Sequence, residues 1–207
     1  MAFPTTGVLD NFAYSNGALA TVSGGAWSSP VGLDFNVASQ VLFPISGAGA
    51  IVTYATLGNV SECEAYITVT QLPGSGETAA LLWIDGSGNG YTAVYVHGAP
   101  GSLGVYRMAG YASTLLGSTV ALTLSAGDQL GMWVRPGTNE IEAFSATGGT
   151  WTSRATRTDA TYTTARRIGL GASGTNVGMD IFGGGAVSPA PPATGGFMTP
   201  MRGTWGP

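Results

Sequence analysis

What most limits how this chain can fold is the alternation of apolar and polar residues over short runs, broken at regular intervals by glycine- and proline-rich clusters. "AIVTYAT" (50–56), "SECEAYITVT" (61–70), "TAALLWID" (78–85), "GYTAVYVHG" (90–98) and "GSLGVYRM" (101–108) read as strands. So do "STVALTL" (118–124), "QLGMWVR" (129–135), "NEIEAFSA" (139–146) and "RIGLGAS" (167–173). A period of two places successive side chains on opposite faces, and Val, Ile, Thr, Tyr and Trp suit a pleated, half-buried surface. Between the runs lie "PGSGE", "DGSGNG", "GAPGS", "SAGDQ", "RPGTNE" and "ASGTN", which carry turn chemistry. Short strands at 8–12-residue spacing predict an all-β sandwich or barrel. No segment has a convincing helical period. "TDATYTTARR" (158–167) predicts a loop with at most one helical turn.

"ALLWI" and "LGMWV" are apolar throughout, which predicts a central position within a sheet. Other runs pair an apolar with a polar face. Two antiparallel sheets stacked face to face satisfy both patterns. Length supports this: 207 residues suffice for one sizeable core.

Composition narrows the function classes. Only 9% of residues are charged, the seven basic residues are all Arg, and the net charge is −4. No basic patch exists to neutralise several phosphates, which argues against nucleic-acid binding. Low surface charge gives little protection against association and suits a protein covered by neighbours. Cys63 is the sole cysteine, so no intramolecular disulfide forms; alternation places it with Ala65, Ile67 and Val69 on an apolar face. The N-terminus lacks the charged and apolar regions of a secretory signal. No run has the length of a membrane-spanning helix.

The two ends of the strand-rich region resemble each other. "VLDNFAY" and "MDIFGG" each place an acid two residues before a phenylalanine (Asp10 and Phe12, Asp180 and Phe182). They predict the first and last strands of one sandwich, adjacent at its edge, with acid and Phe on the same side. The domain then spans 1–186. Residues 187–207 form an appendage: "VSPAPPATGG" is a Pro-rich extended segment, and Phe197, Met198, Met201 and Trp205 follow it as a docking segment.

Candidate chemistry is sparse. Glu140 with Glu142, and Glu62 with Glu64, lie at i and i+2 on predicted strands, about 6–7 Å apart on one face. A retaining glycosidase needs carboxyls about 5–5.5 Å apart. The favoured reading for both pairs is a solvated strand face. "DGSGNG" (85–90) begins like a calcium loop, but Val96 stands where the bidentate Glu is required, and a hairpin turn is the better reading. His97, the sole histidine, has no nucleophile motif beside it and reads as a strand-end polar residue. No catalytic residue, metal site or cofactor is expected. Trp27, Trp83, Tyr91, Tyr95, Tyr106, Tyr111, Trp133 and Trp151 offer faces for stacking on sugars. Most belong in a core; Tyr91, Tyr111 and Trp151, near predicted loops, are the candidate ligand-binding residues.

The order of these elements resembles the concanavalin A-like (laminin-G-like) jelly-roll domains of bacteriophage virion proteins. Asp10-Asn11-Phe12 followed by Trp27, "GNGYTAVYV" (88–96), "LGVYRMAG" (103–110), "LSAGDQLGMWV" (124–134), "TDATYTTARRIGLGAS" (158–173) and "MDIFGGG" (179–185) carry the likeness, over residues 8–185. The resemblance implies a two-sheet antiparallel jelly-roll sandwich of about a dozen strands, first and last adjacent, with an extended C-terminal tail here. Members include lectins, glycan-binding modules and glycoside hydrolases. Hydrolases of this fold carry a Glu-x-Asp-x-Glu strand motif, of which only Glu140-x-Glu142 is present. The expectation is a non-enzymatic virion structural protein, on the tail or tail tip or decorating the capsid. It would contact other virion proteins and its own copies and present a glycan-binding surface for host attachment. It would insert in no membrane. A glycoside hydrolase and a free soluble lectin are the alternatives.

Overall fold

The computed structural model describes residues 3–32, 34–46, 49–72, 74–174 and 176–187. Among these residues, seventeen strands form two sheets. In spatial order, the nine-stranded sheet holds β15 (Thr150–Thr158), β14 (Glu140–Thr147), β13 (Gln129–Arg135), β7 (Cys63–Gln71), β17 (Gly178–Ala186), β5 (Val41–Pro44), β4 (Phe35–Ala38) and β2 (Gly17–Ala18). β1 (Val8–Asp10) also pairs with β17. The eight-stranded sheet holds β11 (Ala112–Leu115), β10 (Gly101–Ala109), β9 (Gly90–Val96), β8 (Thr78–Ile84), β16 (Arg167–Ser173), β6 (Ala50–Tyr54) and β3 (Trp27–Ser28). β12 (Val120–Leu122) pairs with β10. The strand pairings are antiparallel, as the all-β sandwich reading requires.

Alternation explains the layering. On β13, Leu130, Met132 and Val134 enter the core between the sheets, while Gly131, Trp133 and Arg135 face outward. On β7, Cys63, Ala65, Ile67 and Val69 face inward, as the sequence predicts; burial pushes the Cys63 thiol well up. On β8, Ala79, Leu81 and Trp83 face inward, and Ala80, Leu82 and Ile84 outward. β8 and β13 are both central, but they lie in different sheets.

The ends of the domain meet, with two corrections. Val8 pairs with Gly183 and Asp10 with Phe182. β17 is nevertheless interior, between β7 on one side and β5 with β1 on the other, not at an edge. Nor do Asp180 and Phe182 share a side. Ile181, at φ 48°, is a bulge, so Asp180 pairs with Thr68 but Phe182 with Ile67. The extra residue flips the alternation, sending Phe182 into the core and leaving Asp180 outside it. Phe12 lies beyond the end of β1, also at positive φ (50°). Both phenylalanines pack on Trp27, with ring centroids 5.8 Å (Phe12) and 4.9 Å (Phe182) away. Asp10 closes the cluster. Its carboxylate accepts from Trp27 Nε1–H (2.7 Å), Tyr14 O–H (2.6 Å) and Phe12 N–H (2.7 Å). Asp10 is a structural turn acid.

Several elements escaped sequence reading. None of the runs read as strands covers β2, β3, β4, β5, β11 or β15, and the seventeen strands among the described residues exceed the dozen implied by resemblance. Among the described residues one helical turn exists, α1 (Leu19–Val22), and it does not lie within 158–167. Residues 159–166 form a loop, as the sequence predicts, pinned by Arg166. Its guanidinium lies 5.1 Å from the Trp83 ring centroid and 4.6 Å from that of Tyr162, and donates to Asn89 O and Thr164 O.

Candidate functional site

The outward face of β13–β14–β15 brings together residues far apart in sequence. Antiparallel register sets Trp133 opposite Glu142, Arg135 opposite Glu140, and Gly131 opposite Phe144. On the next strand, Phe144 pairs with Ser153 and Ala146 with Trp151. These residues lie on the face that points away from the core.

The N-terminal segment lies across this face. Glu64 projects outward from β7 yet is fully buried (0% exposed). It accepts hydrogen bonds from Thr5 N–H (2.6 Å), Thr5 Oγ1 (3.2 Å), Thr6 Oγ1 (2.6 Å) and Thr6 N–H. This corrects the solvated reading of the Glu62/Glu64 pair: Glu64 is an anchor beneath a strap. The strap delivers Phe3 onto Phe144, stacked at 4.1 Å and 5°, and against the edge of Trp151 at 4.8 Å. Gly131 makes room, because a Cβ there would stand 2.3 Å from the Phe3 ring.

The result is a pocket of about 660 Å³ lined by Phe3, Trp133, Arg135, Glu142, Phe144 and Trp151, with Gly149, Thr150 and Ser153 at its side. Its polar row is continuous. Arg135 Nη2 donates to Glu142 Oε2 at 2.5 Å, and Nη1 lies 3.5 Å from Glu140 Oε2. Ser153 Oγ donates to Glu142 Oε1 at 2.5 Å. The guanidinium sits 4.4 Å from the Trp133 ring centroid. Two donors, Trp133 Nε1–H and Arg135 Nε–H, are buried with no acceptor among the described residues. A buried donor left unpaired costs about 1–3 kcal/mol. Chemically, aromatic walls with a small set of fixed polar groups suit a ligand with apolar faces and many hydroxyls.

The three candidate ligand-binding residues do not converge. Trp151 lines this pocket. Tyr91 is not at the surface: it is 1% exposed, stacked parallel to Trp83 at 5.8 Å. Its hydroxyl donates to Asp159 O at 2.7 Å, and burial, reinforced by Asp159, raises its pKa to about 12. Tyr111, half-buried, lies on the outer face of the other sheet. It lines an apolar groove of about 210 Å³ with Ile51, Ala80, Leu82, Val94 and Met108. Phe197, Met198, Met201 and Trp205 lie outside the described residues. Sequence reasoning placed Trp133 among core aromatics and missed Phe3, Arg135, Phe144 and Ser153. Pairing of the runs 129–135 and 139–146 as a hairpin was the signal that would have set Trp133 beside Glu142.

The remaining polar features are structural. Asp85 Oδ1 accepts from Ser87 N–H (2.9 Å) and Asn89 N–H (3.0 Å), the geometry of a hairpin turn. Among the described residues, no group of three or more His, Cys, Asp and Glu is placed to hold a metal. His97 follows the end of β9, with Nδ1 3.5 Å from the Tyr95 hydroxyl.

No protein-family model matches the chain, and no curated protein matches its sequence. Solved structures match in shape. Carbohydrate-binding module CBM66 from Bacillus subtilis superposes with a TM-score of 0.58 at 10% identity, over 75% of this chain and 91% of that one. The exoplasmic/lumenal domain of VIP36, in a Ca2+/Man3GlcNAc-bound form, gives 0.61 at 10% identity, over 81% and 86%. The GH43 protein BlXynB from Bacillus licheniformis gives 0.56 at 11% identity, over 90% of this chain but 40% of that one. At such identities the likeness establishes the fold alone, a lectin-like, concanavalin A-like jelly-roll sandwich.

Proposed function

We propose that this chain is a non-enzymatic glycan-binding module of a bacteriophage particle, and that the pocket on the outer face of β13–β15 takes the sugar. The observation that carries the reading is the pairing of aromatic walls (Trp133, Phe144, Trp151) with the Arg135–Glu142–Ser153 row in one concavity. Sugar rings stack their C–H faces on such walls while their hydroxyls exchange hydrogen bonds with the polar row. Two structural neighbours, a carbohydrate-binding module and a domain in a Ca2+/Man3GlcNAc-bound form, support it.

A hydrolase reading fares worse on geometry. Glycoside hydrolysis needs an acid and a second carboxylate facing each other across the scissile bond. Here one guanidinium engages both Glu140 and Glu142, and Ser153 engages Glu142 as well. The virion assignment rests on the sequence resemblance and on the low charge. In it, Phe197, Met198, Met201 and Trp205 dock the module on neighbouring virion subunits, on the tail or the capsid. No helix of the described residues is long and apolar enough to cross a membrane.

A glycan array probed with the purified chain tests the reading. Trp151→Ala weakens binding about tenfold, the scale of one lost aromatic contact of about 1.4 kcal/mol, whereas Tyr111→Ala leaves it unchanged. Absence of any bound glycan, or a loss with Tyr111→Ala alone, would overturn the assignment. Turnover of a bound glycan that disappears in Glu142→Gln would restore the hydrolase.

A further inference from the structure

Among the residues that line the pocket of β13–β15, Arg135 is the one cation. A guanidinium recognises a carboxylate best through two parallel N–H donors of its planar fork. Here the fork is already filled from within the protein. Register sets Arg135 directly opposite Glu140, and Glu142 stands two residues on along the same face, within diagonal reach of a long side chain. Nη2 donates to Glu142 Oε2 at 2.5 Å, and Nη1 lies 3.5 Å from Glu140 Oε2. One flat face of the guanidinium rests on Trp133, 4.4 Å from the ring centroid. The arginines of β15 are committed elsewhere. Arg154 Nε donates to Ser145 Oγ (2.8 Å), on a residue paired with core Leu130, and Arg157 reaches the carbonyls of Leu116 and Ser118. One cation facing two carboxylates leaves this row with a negative charge in excess.

We infer that Glu140 and Glu142 are the specificity-determining residues of this pocket: by filling the Arg135 fork they close it to sugars that carry a carboxylate and leave it to uncharged glycans. This deepens the glycan reading and rests on it for the kind of ligand. A uronate or a sialic acid would have to displace a carboxylate from Arg135 and then sit beside it, and like charges brought together in a site oppose binding. An uncharged sugar meets no such opposition. The two Glu142 oxygens accept from Arg135 and Ser153, one bond each, whereas a carboxylate offers about four acceptor sites. The remaining sites suit sugar hydroxyls, which donate. The carboxylate of an acidic sugar only accepts, and finds the fork occupied. The side chains of Arg135 and Glu142 are 25% and 16% exposed, so a ligand in the pocket reaches both.

The test uses the full chain and matched probes: neutral oligosaccharides, and the same oligosaccharides with one ring oxidised at C6 to the uronate, printed on one array. The parent binds the neutral form at least about tenfold more tightly than its uronate. Glu140→Gln combined with Glu142→Gln removes both carboxylates from the outer face, leaves the core untouched and frees the fork. The preference then moves toward the uronate by at least about tenfold. Glu142→Gln alone, which leaves Glu140 to Arg135, moves it less. Adding Arg135→Gln to the double variant abolishes the gain, which assigns it to the fork and not to a general loss of negative charge. A parent that prefers uronates, a double variant with the parent's preference, or a gain that survives Arg135→Gln overturns the inference. Failure of the glycan reading is separable. If the parent binds no probe, that reading falls, and the double variant still decides this one: uronate binding gained through Arg135 upholds the masking of the fork, and no gain overturns it.

Discussion

The two outer faces of the sandwich obey the same alternation and carry opposite chemistry. Outside the eight-stranded sheet, Ile51, Ala80, Leu82, Val94, Met108 and Tyr111 make a shallow, uncharged groove sealed by the sheet itself. Outside the nine-stranded sheet, aromatic rings are mixed with Arg135, Glu140, Glu142 and the buried Glu64, and the seal is a strap from the N-terminus. One face is closed by backbone against backbone; the other is closed by an N-terminal segment laid over side chains and held by Glu64.

Matched glycine substitutions put the largest strain on that contrast. A Cβ at Gly169, in β16, would stand 2.2 Å from Val52 O, so Gly169→Ala pushes β6 away from β16. The expected cost is about 3 kcal/mol, the upper range for overpacking, read as a lower denaturation midpoint in urea. A Cβ at Gly131 would meet side chains, the Phe3 ring at 2.3 Å and Trp151 Cζ3 at 2.9 Å, and no backbone; the Phe3 ring can lift. Gly131→Ala therefore costs about 1 kcal/mol and frees Phe3. Equal costs would mean that the strap is as integral to the fold as β6.

Glu64→Ala tests the strap directly. It strips Thr5 and Thr6 of the acceptor for two N–H and two hydroxyl groups. The expected loss is about 2 kcal/mol. If the strap opens locally, amide exchange at Thr5 and Thr6 accelerates about 30-fold, since each 1.4 kcal/mol is a factor of ten. Exchange within β8 and β16 stays as it was. Acceleration spread evenly over both sheets would erase the distinction between the faces.

Much of this fold was legible because alternation is local. The run 129–135 became β13 with the same bounds, and 167–173 became β16. What escaped had physical reasons. β15, "TWTSRATRT", is an edge strand with Ala155 as its buried residue, so it shows little apolar period. β4 and β5 turn through Ser39 and Gln40, both at positive φ, a conformation for which Asn-Gly is the usual signal. Tyr91 was taken for a surface residue from its nearness to a loop, although its alternation with Ala93 and Tyr95 points it inward. The Ile181 bulge reversed the face of Asp180 without any mark in the sequence. At the site, Trp151 was found and Phe3 was not, because Phe3 is placed by Glu64, some sixty residues away. A pocket assembled by cross-strand register and a long-range strap has no local signature.

The smallest expected effect concerns pH, and it separates the ends of the eight-stranded sheet from its face. Burial tends to raise the Asp85 carboxyl, but hydrogen bonds from Asn89 and Ser87, with Arg166 nearby, outweigh it and leave its pKa lowered. Asp159 is likewise lowered against burial, by Thr161, Tyr91 and Arg107. A carboxyl lowered in the folded state contributes stability above its unfolded pKa, about 3.9, and loses that contribution as pH falls through the folded value. Stability therefore stays flat with respect to these two groups from pH 7 to about 5, and declines below about pH 4. The first amides to gain exchange are those of Ser87, Asn89 and Thr161, which these carboxylates hold. Asp85→Asn and Asp159→Asn flatten the acid limb in proportion. If the decline instead begins above pH 5, or the Asn variants follow the parent curve, these turn acids do not set the acid limit. The polar loops at the sheet's end would then share the indifference to charge of the groove on its face.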